Sequence, residues 1–250
     1  MTTQCIGRNG HLGGTDIVDR VPPALPPRPR AIFLGSADLE YTEHAPDRLL
    51  APWVQAFWQL RCLRATTLRV PPDGCMDIIN GDVVGSLSTV LMADMQPGEV
   101  AVGIRLRPGA FTALYGVPAD ELTDIRVALR DVVRPRQLLE AARDADHPDP
   151  LAAAAMAEPD LKALARETGY SQRQLRRRVL AATGHGPRKL ARINRMQELL
   201  AAGRGESWSR RAAQFGYYDE AHMINDIRAL AGATPQAMLA ERRYAGSERH

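Results

Sequence analysis

Only three cysteines (Cys5, Cys62 and Cys75) occur in 250 residues, and they form no CxxC pair. An odd, dispersed set of this kind excludes a disulfide framework and a zinc knuckle and points to a reducing compartment. No run of about 18 apolar residues occurs, so no membrane span is expected. Met1 to Gly14 lacks a basic start followed by an apolar stretch, so no secretory signal is expected and the localisation read from the sequence is cytoplasmic. The six histidines (His11, His44, His147, His185, His222 and His250) are scattered without metal-ligand spacing. Neither a glycine-rich phosphate loop nor a nucleophile elbow is present. The expectation is therefore a binding protein rather than an enzyme, with no catalytic residue, metal or cofactor.

What is present is ordinary in bulk: 45% hydrophobic and 24% charged residues, the composition of a folded globular chain. The net charge is only +3, but it is unevenly distributed. From residue 151 onward there are 17 Lys and Arg against 10 Asp and Glu, a net +7, whereas residues 1–150 carry a net −4. A basic half joined to a mildly acidic half suggests that only the former meets a polyanion.

The first 30 residues are rich in Gly and Pro and poor in large apolar groups, and read as a disordered tail. Residues 31–145 read as a mixed α+β domain dominated by strands. Val54, Ala56, Trp58 and Leu60 follow a two-residue period, Leu68 to Val70 leads into the turn Pro71-Pro72-Asp73-Gly74, and Met76 to Ile79 and Val100 to Leu106 read as further strands. Pro108 suits the first position of a helix running to about Tyr115, and a helix is expected over Arg134 to Ala145. Residues 146–156, opening with Asp146-His147-Pro148-Asp149-Pro150, read as a linker. An all-α domain is expected over 157–244, with a disordered tail at 245–250.

Within the basic half the sequence repeats. Ala165 and Gly169 recur as Ala212 and Gly216, displaced by 47 residues; Leu175, Val179, Gly184 and Pro187 recur as Met223, Ile227, Gly232 and Pro235, displaced by 48. One supersecondary unit used twice gives such a pattern. The glycine that ends a first helix reverses the chain in the left-handed conformation. Ser171 and Asp219 then cap the amides of a second helix. Leu175/Val179 and Met223/Ile227, at i and i+4, dock that second helix on the first. Two such helices across a tight turn form a helix-turn-helix, whose second helix enters the DNA major groove. Arg173, Arg176, Arg177 and Arg178 make the first of these second helices strongly basic, which suits phosphates and guanine edges. Pro187 to Ala202 reads as a connecting helix with apolar Leu190, Ile193, Met196, Leu199 and Leu200.

This arrangement resembles the AraC/XylS family of transcriptional regulators over roughly Leu161 to Ala240. The resemblance rests on Gly169-Tyr170-Ser171 with Leu175, Arg177, Gly184 and Pro187, and on Phe215 to His222 with Ile227, Gly232 and Pro235. Carried over by position, it implies DNA contacts from Ser171, Arg173, Arg176 and Arg177 of the first unit and from Glu220, Ala221, His222 and Asn225 of the second. Asn225 and Asp226 depart from a basic second helix, and Arg211 stands where the first unit has apolar Leu164. The stretches Val70 to Asp77 and Gly103 to Ala110 resemble a sensor-like domain attached to some members of the family, which implies effector binding or dimerisation there. The implied partners are double-stranded DNA, RNA polymerase and a small-molecule effector, with the chain a monomer or a homodimer.

Three residues of the first half are candidates for effector contact. Arg105 and Arg107, two apart on a strand before a helix start, would hold an anionic group with that helix's free amides, and Trp58, with Trp53 and Phe57, would line a cavity. Ordinary salt bridges and core packing are the competing readings of the same residues. Two other functions stand beside the regulator: a zinc and cysteine alkyl-transfer DNA-repair regulator, whose chemistry wants four thiolates, and a helical module that contacts a protein rather than DNA.

Overall fold

A computed structural model of the chain describes residues 38–134, 138–145, 147–157, 160–202 and 207–246. The tail expected at 1–30 lies outside the described residues; of the tail expected at 245–250, residues 245 and 246 instead end the last helix, and the rest lie outside the described residues. Among these, β1 (Leu39–His44), β2 (Val54–Cys62), β3 (Thr66–Val70), β4 (Met76–Ile79), β5 (Asp82–Val84), β6 (Leu91–Met95), β7 (Val100–Leu106) and β8 (Arg126–Ala128) build two antiparallel sheets. The larger has the order β1-β2-β7-β4-β5-β8, and β3 and β6 pair as a separate ribbon. Short helices α1 (Ala110–Tyr115), α2 (Leu129–Val132) and α3 (Leu138–Asp144) accompany them.

The expected alternation of β2 is present, but its buried residues serve two cores. A bulge in the β2–β7 pairing between Val54 and Ala56 shifts the register, and an extra residue of this kind reverses which side chains face each side. Val54 and Phe57 therefore join Met76, Ile78, Leu106 and Phe111 under α1. Trp58 and Leu60 turn to the opposite face and pack with Leu68 of the ribbon. Trp58 lies opposite Gly103 in the register, and a Cβ on Gly103 would stand 2.1 Å from the indole. Only glycine lets the ring lie flat on the sheet there.

Three boundaries differ from expectation. Helix α1 starts at Ala110 rather than Pro108, because Arg107 stays bonded to the sheet (N–H to Trp53 O, 2.8 Å) and Gly109, in the left-handed region, makes the turn. Of the helix expected over Arg134 to Ala145, Leu138–Asp144 is helical as α3 and residues 135–137 lie outside the described ones; a separate short helix, α2, precedes it and is followed by Val133, which is extended. The segment expected as a linker carries α4 (Pro150–Ala157): Pro150 opens it, and the Asp149 carboxylate accepts the Leu151 amide. A proline whose missing N–H costs nothing in a first turn begins this helix instead of breaking one.

The remaining helices are α5 (Leu161–Thr168), α6 (Gln172–Thr183), α7 (Pro187–Ala201), α8 (Trp208–Gln214), α9 (Glu220–Ala231) and α10 (Pro235–Gly246). Helix α4 packs into the core of the first pair, with Leu151 and Ala155 against Leu164, Leu175, Val179 and Leu190. The second pair closes around Ile193, Met196, Met223, Ile227 and Met238. Helix α7 thus gives Leu190 to one core and Ile193, Met196 and Leu199 to the other.

The two halves meet through specific polar contacts. Thr112 and Thr123 hydroxyls donate to Ala181 O (3.2 Å) and Gly184 O (3.0 Å) at the end of α6. Arg69 on β3 donates to Ala231 O at the end of α9 (3.1 Å) and pairs with Glu241 of α10 (3.2 Å). Buried Gln197 of α7 donates to Pro72 O (2.9 Å). Buried His185 lies 2.9 Å from Leu87 O, so its Nε2 carries the proton and donates. Burial holds the His185 pKa below its ordinary value, and neighbouring Lys189 acts in the same direction. A histidine whose folded pKa is depressed leaves stability intact above the unfolded value near 6.5 and removes it as pH falls below that value, since the unfolded chain then binds more protons. The melting temperature should therefore fall more on going from about pH 7.5 to about pH 5 in the native protein than in His185→Gln. Equal acid losses in the two would contradict this assignment.

Candidate nucleic-acid interface

Each helix pair is built as its sequence requires. Gly169 (φ 72°) ends α5 and Gly216 (φ 70°) forms the corresponding turn after α8, both in the left-handed region that a side chain would strain. Ser171 closes a reciprocal cap on α6: its Oγ accepts the Gln174 amide (3.3 Å), and Gln174 Oε1 accepts the Ser171 amide (2.9 Å). Asp219 caps α9 by accepting the His222 amide (2.7 Å). Capping boxes and N-caps contribute about 0.5–2 kcal/mol each and fix where the helix begins.

On α6, Leu175 and Val179 are fully buried, while Arg173, Arg176 and Arg177 are exposed. These three arginines make no ion pair with any described residue. At positions i, i+3 and i+4 they share one stripe, which Leu180, 39% exposed, continues at i+7. Arg178 differs from the expected arginine cluster. It turns back to Asp149 (2.9 Å) and lies over the Tyr170 ring, 4.8 Å from its centroid, so it ties α6 to the start of α4.

On α9, Ala221, His222 and Asn225 are exposed and Glu220 is partly so. Glu220 accepts the Ser209 hydroxyl (2.9 Å), which ties it to α8. His222 Nδ1 accepts the Tyr218 amide (3.3 Å), and the ring stands edge-on to Tyr217 at 5.6 Å. Its remaining nitrogen, Nε2, is left as the donor facing outward. Asp226 does not face outward with Asn225. It is buried and paired with Arg192 of α7 (Nε to Oδ1, 2.7 Å). Arg211 is likewise an internal residue: it is buried, stacks over Trp208 at 4.9 Å and donates to Leu199 O. Two exposed residues were missed in the sequence. Arg228, three positions beyond Asn225 on the same stripe, restores a positive charge to α9, and its spacing from Ala221 and Asn225 was the available signal. Tyr218, 92% exposed in the turn before α9, left no periodic signal.

Helix α7 fixes the second pair to the first. Besides Arg192–Asp226, Arg195 donates to Gly216 O (2.8 Å) and stacks on Tyr217 at 4.9 Å.

Residues 164–241 match the family described as a helix-turn-helix domain, and residues 42–128 match a domain of unknown function, DUF6597. The carboxy-terminal part is an AraC-type helix-turn-helix domain, so the chain is a DNA-binding transcription regulator. No curated protein and no solved structure matches it. No helix among the regulator's described residues is long and apolar enough to cross a membrane.

The regulator's three candidate effector residues are not brought together. Trp58 and Arg105 line one cavity between the sheet and the ribbon. Arg107 lies off it, donating to Ala51 O (2.7 Å), since β7 ends at Leu106. Arg105 also has carboxylate company: Glu43 at 2.8 Å, Asp73 at 3.5 Å and Asp77 at 3.6 Å. An anion held by paired arginines at the start of α1 is therefore not what the geometry offers.

The Arg192–Asp226 pair generates a stability prediction. Removing Arg192 leaves a carboxylate that is 8% exposed without its partner. Because Arg192 itself is 40% exposed, the cost of Arg192→Met falls below the fully buried range, at about 1–3 kcal/mol. Denaturant unfolding should show this loss, with the double change Arg192→Met/Asp226→Leu recovering most of it; no recovery would contradict the pairing.

Proposed function

We propose that this regulator reads its operator with α6 and α9, inserted into successive major-groove segments of one duplex, under the control of an effector held by the amino-terminal domain. The observation that carries this reading is the exposed stripe Arg173, Arg176 and Arg177, free of ion pairs among the described residues, on a helix whose start is fixed by a capping box. A guanidinium fork in that position pairs with guanine O6 and N7, and Leu180 beside it suits a thymine methyl. Helix α7 has 15 residues, about 22 Å of rod, which supports two recognition helices spaced for neighbouring turns of the same groove, roughly 34 Å apart.

The second helix has a different division of labour. Asn225 is the residue suited to a bidentate adenine contact, and His222, oriented by Tyr217 and the Tyr218 amide, offers one donor. Glu220 and Ser171 act by position: one is tied to α8 and the other caps α6. Arg228 adds a phosphate-directed charge. Affinity is carried mainly by α6.

Arg173→Ala and Arg176→Ala should each weaken operator binding by about 1–3 kcal/mol and relax base choice locally. Anisotropy titrations at fixed salt against the specific site and a scrambled duplex measure both effects. Unchanged specific affinity in both variants would overturn this reading.

A further inference from the structure

The cavity on the ribbon side of the sheet encloses about 400 Å³. Most of its wall is apolar, including Leu60, Leu68, Ile79, Met92 and Met95, and at one end the rings of Tyr41 and Trp58 stand 6.2 Å apart. Volume and lining are those of a small-molecule site. The polar end is what selects the ligand. Arg105 lies there at 8% exposure, and its Nε makes no hydrogen bond. Around this one guanidinium are three carboxylates, Glu43, Asp73 and Asp77, of which Asp73 and Asp77 line the cavity itself. The group is two negative charges in excess.

Asp77 registers that excess. Its pKa is pushed up to about 6 by burial, and Asp73 and Glu43 push the same way, against Arg105 and the Trp58 indole N–H, which donates to it at 2.7 Å. A buried carboxylate destabilised as an anion gains most from an additional cation. A cation at this end would also stand near the Tyr41 and Trp58 rings, where their quadrupoles attract it.

We propose that this cavity binds a small apolar molecule carrying a single cationic amine, with the amine between Asp73 and Asp77 and the apolar body along the ribbon. A carboxylate ligand would meet Arg105 but face the two surplus charges. A neutral ligand would leave them uncompensated. The site also has a route to the DNA-binding half, because Arg69 on the cavity wall is the residue that holds Ala231 O and Glu241. That occupancy alters operator binding rests on the reading given under the proposed function; the occupancy itself does not.

The test is calorimetric titration of the full chain, without DNA, with octylamine, 1-octanol and octanoate at about pH 7.5. Octylamine should bind at least about tenfold more tightly than the other two, about 1.4 kcal/mol. Asp73→Asn and Asp77→Asn should each remove most of that advantage while leaving octanol affinity within about twofold, since both keep the shape of the site. Octanoate binding best, the three binding alike, no binding by any of them, or an amine preference that survives both substitutions would overturn the proposal. The ranking in the native protein decides even where a variant fails to fold. Because no DNA is present, failure here is distinguishable from failure of the operator reading.

Discussion

The carbonyl ends of α6 and α9, the second helices of the two pairs, are held by the amino-terminal domain. A helix leaves its last carbonyls without intrahelical partners. In α6 two of these, at Ala181 and the capping Gly184, accept the Thr112 and Thr123 hydroxyls, and in α9 the one at Ala231 accepts Arg69. These bonds come from different parts of the first domain, the helical segment 110–123 and the ribbon. The DNA-binding half is therefore seated on two points of one support. Helix α7 adds the third constraint, with Gln197 anchored on Pro72 O and Arg192 and Arg195 bracing the second pair.

This arrangement gives the charge asymmetry of the chain a structural meaning. The basic stripe of α6 begins near the capped end of the helix, while its opposite end is docked on the mildly acidic half. The support thus leaves the arginines uncovered. The cavity shares the ribbon with one of the docking residues, Arg69, so one side chain joins the cavity wall to the DNA-binding half.

Much of the helical half was legible because its determinants are local. The repeat of glycines and docking residues, the caps at Ser171 and Asp219, and the outward Arg173, Arg176 and Arg177 follow from spacing on a helix, whereas Arg178 turns back to Asp149. What was not legible depends on partners distant in sequence. Asp226 and Arg211 read as oddities in a DNA-facing region until Arg192 and the Leu199 carbonyl are brought to them. The β2 bulge, which sends Trp58 to the cavity and Phe57 to the other core, arises from pairing with β7 and leaves no mark on the alternation itself. Arg107 looked like a companion of Arg105 because the strand's end at Leu106 is set by its bond to Trp53 O. Pro150 read as a break when it is the first residue of a buried helix.

Under the proposed function, the first domain, together with α7, fixes the distance between α6 and α9. An operator series with zero to about four base pairs inserted between the two contacted groove segments tests it most directly, comparing the native protein with an Arg69→Ala/Thr123→Val variant. The native protein should lose at least about tenfold in affinity on the first insertions, and the variant should tolerate them markedly better at a lower maximal affinity. Identical spacing profiles for the two proteins would contradict the account.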